Sequence, residues 1–479
     1  MRDRTRWTAV GVLATGSLMT ILDGSIVTVA MPAIQADLGF SAAGLSWVVN
    51  AYLIAFGSLL LLAGRIGDLI GRTRMFLAGT VVFTAASLLA GAATTPALLI
   101  AARFLQGVGS AMAMAVSLGI LVTLFTVPAE RSRAIALFSF TGAAGAAIGQ
   151  VVGGVLTDAL SWHWIFFINL PIGLATFVLG RRSLPGERGL GLRSGADVTG
   201  ALLITGGLVT GIYAVVNIES YGAARTAGLL ALAVALLAGF VVRQAKARDP
   251  LVPLRVLRAP GVAAANLVQV LTLAACFAFQ VLVTLYLQNV LGYDALRTGL
   301  AMLPAAVAIG AVSLGVSARL NARFGERRML LVGLVLLGGV LGLLARVPVH
   351  ASYAVDVLPV MLLASGFGLV LPALATLAMS GARADDAGLV SGLFNTTQQI
   401  GMAFGVAVLA TLAASRTEAL RSAGQGVAEA LTGGYRLAFA VGAGLVVIAF
   451  VTAAVLLRSA PTRSALPQRV TESPSAMRS

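Results

Sequence analysis

Apolar residues in this chain arrive in blocks of about twenty, long enough as helices to cross a hydrocarbon core of about 30 Å. Fourteen such blocks fall near residues 8–30, 45–63, 75–93, 97–122, 134–157, 163–181, 198–217, 226–243, 262–287, 298–318, 328–345, 357–379, 388–413 and 435–457. In lipid every backbone polar group needs an internal partner, so the blocks must be helices. Composition agrees: 58% of residues are hydrophobic, 11% are charged and the mean hydropathy is +0.96, whereas soluble domains carry about 25% charged residues. The expected fold class is an all-α integral membrane protein with fourteen transmembrane helices.

The net charge of +15 sits mostly in short segments between blocks, where it specifies orientation and does not build a nucleic-acid surface. With the N-terminus inside, 26 of the 33 basic residues fall on inner segments. The outer ones are Arg225, Arg297, Arg346, Arg416, Arg421 and Arg436, and Arg103 lies within a block. An odd span count would scramble this alternation, so both termini are expected in the cytoplasm. Arginine-, alanine- and glycine-rich usage, with Lys246 the single lysine, points to a GC-rich bacterial genome, and the expected location is the bacterial plasma membrane. Arg2, Arg4 and Arg6 resemble the start of a signal peptide, yet the following block is longer than a cleaved core of about 7–15 residues and carries Asp23. A retained first span is expected. Cys276 is the sole cysteine, and His163 and His350 are far apart in sequence, so neither a disulfide nor a metal site is expected.

The sequence also repeats. Gly64 to Arg74 (GRIGDLIGRTR) and Ala318 to Arg328 (ARLNARFGERR) align on Gly71 and Gly325, each joining two blocks through arginines around a glycine. A weaker echo pairs Gln106-Gly107-Val108-Gly109 with Ser365-Gly366-Phe367-Gly368. Both spacings fit two six-helix halves with two extra helices between them, an architecture built from internal repeats. The expected units are 1–182 and 261–457 as six-helix bundles, 183–260 as two extra helices with cytoplasmic linkers, and 458–479 as a disordered cytoplasmic tail rich in Ser, Pro and Arg.

Four motifs carry a family resemblance: Gly64, Asp68, Gly71 and Arg72 between the second and third blocks; Leu22-Asp23-Gly24-Ser25-Ile26-Val27 through Pro32 in the first; Arg103, Gln106, Gly107, Gly109 and Ala111 in the fourth; and Gly145, Gly149, Gly153 and Gly154 in the fifth. Together with Trp162 to Pro171, they make the chain resemble the major facilitator superfamily, and within it the fourteen-span drug:proton antiporters, from Leu22 to about Leu457. Gln150 stands where the antiporter signature of the fifth span has proline, which weakens the case for a kink there.

The resemblance implies an exporter of small hydrophobic, neutral or monocationic drugs or antibiotics. It would act by alternating access, be driven by the proton gradient without a cofactor, and be monomeric. A proton-coupled symporter or a uniporter of a small metabolite on the same fold is the alternative. Asp23 is an acidic residue deep in a block, where a lone charge costs about 2.5–3.5 kcal/mol, so it needs a cavity or a partner. Burial and a nearby cation act oppositely on a carboxyl, which makes Asp23 the candidate proton carrier; a packing carboxylate that never titrates is the other reading. Arg103 is the candidate for tuning it, or else a fixed structural cation. Ion pairs of Asp68 with the loop arginines are expected to hold the halves closed on the inner side; charges that only mark topology around the turn are the other reading. Asn395, Gln398 and Gln399 in the thirteenth block, with Tyr286 in the ninth, either line a wet central cavity or bond neighbouring helices. An enzyme is disfavoured because no His, Glu or Cys constellation sits within the blocks. No phosphate-binding Gly-x-x-x-x-Gly-Lys-Ser/Thr loop occurs, so ATP is not the energy source.

Overall fold

The computed structural model describes residues 3–41, 43–125, 127–186, 189, 191, 196–218, 221–248, 250–252, 254–257, 259–380 and 387–457. The tail expected at 458–479 lies outside them. Among the described residues the secondary structure is helical throughout. The first group is α1 (Asp3–Leu38), α2 (Trp47–Ile70), α3 (Arg72–Gly91), α4 (Pro96–Leu124), α5 (Pro128–Ala159) and α6 (Asn169–Ser183). A hairpin of α7 (Val198–Val216) and α8 (Ala223–Lys246) follows. Then come α9 (Pro260–Asn289), α10 (Ala295–Ala311), α11 (Glu326–Leu344), α12 (Tyr353–Met379), α13 (Ala387–Ser422) and α14 (Val427–Leu456).

Twelve stretches among the described residues are long and apolar enough to cross a membrane. The blocks expected near 134–157 and 298–318 fall on α5 and α10, whose apolar described stretches, Ala147–Ala159 and Ala295–Ala311, are shorter than a span. After Ala311 the helix widens into a π turn over Val312–Val316 and resumes as Ser317–Phe324, which divides that block.

Packing follows a repeat. α1 lies against α5 and α6, and α3 against α4 and α6; α9 likewise meets α13 and α14, and α11 meets α12 and α14. The loop echo has the same physical cause on both sides, because Gly71 (φ 104°) and Gly325 (φ 86°) each turn the chain between two helices in a conformation that side chains rarely adopt. Glycines also set the closest approaches. A Cβ on Gly107 would strike the Tyr52 carbonyl, and one on Gly109 would sit 2.8 Å from the Gly79 carbonyl; in the echo, one on Gly366 would sit 2.8 Å from the Gly333 carbonyl.

Two apolar cores result, one drawn mainly from α1–α6 and one from α9–α14. They meet along α5 against α10 and α2 against α13. The α7–α8 hairpin lies at the second of these seams: α7 packs on both α2 and α13, and Thr205 donates to Ser58 at 2.9 Å.

Candidate functional site

A polar cluster sits inside the first core. Asp23 lies midway along α1 and Arg103 on α4, with side-chain exposures of 0% and 1%. Their ion pair is direct, from Arg103 Nη1 to Asp23 Oδ2. The same Nη1 donates to Gln106 Oε1 at 2.8 Å, and Arg103 Nε donates to the Val48 carbonyl at 2.9 Å. Aromatic faces complete the cage: the guanidinium lies 4.5 Å from the Tyr52 ring centre and 5.9 Å from that of Phe166. A buried cation in lipid needs such solvation, and a planar guanidinium can use carboxylate, carbonyl and ring faces together.

Two amides hold the other carboxylate oxygen. Gln106 Nε2 reaches Asp23 Oδ1 at 3.1 Å and also Ser87 Oγ at 2.8 Å. Asn169 Nδ2, from the first residue of α6, donates to Oδ1 at 3.0 Å. Asp23 therefore receives three charge-assisted bonds from two elements besides its own, the stronger class of hydrogen bond. Tyr52 closes the cluster, donating to the Thr20 carbonyl at 3.3 Å and meeting Ser110 Oγ at 3.0 Å.

The structure thus joins Asp23, Arg103 and Gln106, and encloses them in the first core, where all three side chains are buried. Asn169 and Phe166 are the residues that sequence reasoning missed. Both lie in the Trp162–Pro171 turn, whose aromatics suit a membrane interface; an asparagine opening an apolar helix was the available signal. Neighbouring turn residues do serve the turn itself, with Trp162 donating to Asp37 at 3.0 Å and stacking on His163.

The other motifs go elsewhere. Asp68 pairs with Arg72 at 3.0 Å, four residues along the same half-exposed loop. That contact is within one half and does not bridge the two. Gly64 faces Ala115 of α4, and the loop is held from below by Thr73 donating to the Pro185 carbonyl at 2.7 Å. Gly145, Gly149 and Gly153 press α5 onto Leu18, Leu22, Ser25 and Ile26 of α1. Gly154 turns the other way, where a Cβ would lie 2.6 Å from Leu296 Cα across the seam. Beside it Asp158 accepts from the Ala295 and Leu296 amides at 3.3 and 2.6 Å, capping the N-terminus of α10.

The expected cavity residues have separate partners. Tyr286 donates to the Pro348 carbonyl at 2.7 Å, and Asn395 to Ser391 one turn back on its own helix. Gln399 is buried at the closest approach of α13 to Gly57, and Gln398 is half-buried on the same helix. A separate cavity of ≈ 580 Å³ opens where α2, α7 and α13 meet, walled by Trp47, Ile100, Tyr213, Asn217 and Glu418.

A helical membrane fold of two like-paired halves, with an ion pair buried in the first, is that of a membrane transporter. Residues 13–406 match the family model of the Major Facilitator Superfamily, and the chain belongs to that family. It is 37% identical to the puromycin resistance protein pur8 of Streptomyces alboniger over 95% of this chain and 92% of that one. It is also 39% identical to the cephamycin export protein CmcT of Amycolatopsis lactamdurans, over 87% of each. Among solved structures the nucleoside transporter NupG superposes with a TM-score of 0.67 at 12% identity, covering 94% of this chain and all of that one. The POT family transporter PepTSo gives 0.68 at 16% identity, covering 95% and 98%. At those identities the structures share the fold alone.

Proposed function

We propose that this protein is a proton-coupled exporter of small hydrophobic antibiotics or drugs, working by alternating access across the bacterial plasma membrane. The observation that carries it is the fully buried Asp23–Arg103 pair with its amide donors, because an intramembrane ionisable cluster in a transporter marks a proton or ion path. The relatives that export or resist antibiotics support the cargo class. The cavity beside Trp47, Tyr213 and Glu418 offers aromatic faces and a carboxylate, a chemistry suited to a neutral or monocationic lipophile.

In this reading the chain spans the membrane fourteen times, with both termini cytoplasmic. Residues 1–182 and 261–457 form the rocking bundles, and 183–260 supply the extra pair. It works as a monomer without a cofactor. One proton moving through about 150 mV yields roughly 3.5 kcal/mol, enough for a gradient of a few hundredfold.

The test uses inverted vesicles holding a proton gradient, a panel of lipophilic fluorescent substrates, and wild type against Asp23→Asn. Substrate-induced proton release that disappears in the variant is the expected result. Transport that survives Asp23→Asn, or ignores the gradient, would return the fold to the symporter or uniporter alternatives.

A further inference from the structure

We propose that Asn169 reads the protonation state of Asp23 by turning its side-chain amide over, donating to the carboxylate and accepting from the carboxylic acid. The inference rests on the proton-coupled reading above and assigns a positioning role to a residue of the Trp162–Pro171 turn, for which sequence reasoning found no role in the site.

An ionised carboxylate only accepts hydrogen bonds, and the contacts around Asp23 match that form. Arg103 Nη1, Gln106 Nε2 and Asn169 Nδ2 all donate. A proton added to a carboxylate oxygen makes an O–H, and a buried O–H without an acceptor is costly. Arg103 has no acceptor to offer. Gln106 is committed at both ends, its Oε1 to Arg103 and its Nε2 to Ser87 as well as Asp23, so turning it over breaks two further bonds. The Tyr52 hydroxyl is engaged with Thr20 and Ser110.

Asn169 differs. Its side chain is fully buried, its Nδ2 serves Asp23, and its Oδ1 has no hydrogen-bond partner at all. A half-turn about the Cβ–Cγ bond exchanges the two atoms and brings Oδ1 to the place from which Nδ2 now contacts Asp23. One amide end stays idle in either orientation, so the protonation of Asp23 decides between them. A proton on Asp23 removes the negative charge opposite Arg103, and the turn exchanges the hydrogen bond donated by Nδ2 for one accepted by Oδ1, with no other hydrogen bond of the Asn169 side chain to break.

The position of Asn169 gives the turn a mechanical outlet. It opens α6 directly after Ile168, the junction with the single helical turn Trp164–Phe167. That turn also carries Phe166 toward Arg103. Both groups that sense the ion pair from this side therefore sit on one short, jointed segment. The ionisable groups facing Asp23 are Arg103 from α4 and Tyr52 from α2. The α3 and α6 helices contribute the neutral Ser87 and Asn169, and α5 meets α1 through its glycines.

The experiment is infrared difference spectroscopy between acid and alkaline pH on the purified, membrane-reconstituted full chain. The Asp23 acid carbonyl band is defined by its loss in Asp23→Asn. In wild type, a side-chain amide carbonyl signal is expected to titrate together with that band and to shift when asparagine is isotopically labelled at its side-chain carbonyl. In Asn169→Leu the amide signal vanishes and the acid band moves to higher frequency. An Asp23 band that titrates with no asparagine signal in labelled wild type overturns the switch, and so does an unchanged acid band in Asn169→Leu. The labelled wild type decides the matter even if the variant fails to fold. If Asp23 does not titrate at all, the proton-coupling reading itself fails, which is a different result.

Discussion

At the residue scale the Asp23–Arg103 pair is a liability unless both members are present. Removing one partner of a buried pair leaves an uncompensated charge and costs about 3–5 kcal/mol, whereas removing both often costs little. Arg103→Ala should therefore lower the thermal unfolding midpoint sharply, and Asp23→Asn combined with Arg103→Gln should regain most of the loss. Tryptophan fluorescence on detergent-purified protein measures both. The double variant should still fail to couple protons to substrate; equal destabilisation in single and double variants would show that the pair is not electrostatically linked. The sequence made Asp23, Arg103 and Gln106 legible because each is a polar intrusion in an apolar block at a recognisable spacing. It did not reveal Asn169, whose partner lies 146 positions away and leaves no periodic trace. The same polarity signal at Tyr286 and Asn395 ended in bonds to Pro348 and Ser391. A polar residue in an apolar helix announces that it needs a partner, and only the fold says which.

At the element scale the sequence shows part of how α5 packs. Glycines at 145, 149 and 153 recur every four residues and share one face, while Gly154 is turned by about 100° from Gly153 and must face another neighbour. That this neighbour is α10 depended on tertiary packing, as did Asp158 capping it. With Gln150 in place of the signature proline, α5 runs unbroken from Pro128 to Ala159. Asp158→Asn keeps the shape and weakens the charge-assisted cap, a change worth about 1 kcal/mol by analogy with helix caps. The α5–α10 seam should then open several-fold more often, seen as broader spin-label distances between α5 and α10 in a Cys276→Ser background. An unchanged distribution would assign closure to the glycine contacts alone. Asp197, just before α7, makes a second tie. Burial raises its carboxyl, yet the Gly200 amide, Gln244 and Arg243 together hold it below its ordinary value of 3.8. A carboxylate lowered on folding lends stability that is present above its unfolded value and lost as pH falls below it. Hydrogen exchange in the α7–α8 hairpin should therefore stay constant through neutral pH, after correction for intrinsic rates, and accelerate only below about pH 4.

At the scale of the whole molecule, the extra pair is where lipid must complete the fold. In α2 the most apolar window is 83% buried by protein, but in α8 it has a mean hydropathy of 2.1 and is only 11% buried. An apolar surface of that extent on a helix that packs on α7 is stable only if hydrocarbon covers it. The 24 residues of α8 also reach about 36 Å, more than the thickness of the hydrocarbon core. Its charges agree, since Arg243 and Lys246 close its last turn while Arg225 stands alone near its start. Among the described helices long enough to span, the paired packing of α1–α6 and α9–α14 leaves this hairpin without a counterpart, which only the loop spacing hinted at in the sequence. A single-cysteine pair tests whether it crosses: Ala224→Cys and Ala245→Cys, each in the Cys276→Ser background and treated with a membrane-impermeant maleimide. Ala224→Cys should label in intact cells, and Ala245→Cys only in inverted vesicles. If both label from the same side, α8 does not span, the count falls to twelve, and the hairpin becomes a surface element lying along the seam of α2 and α13.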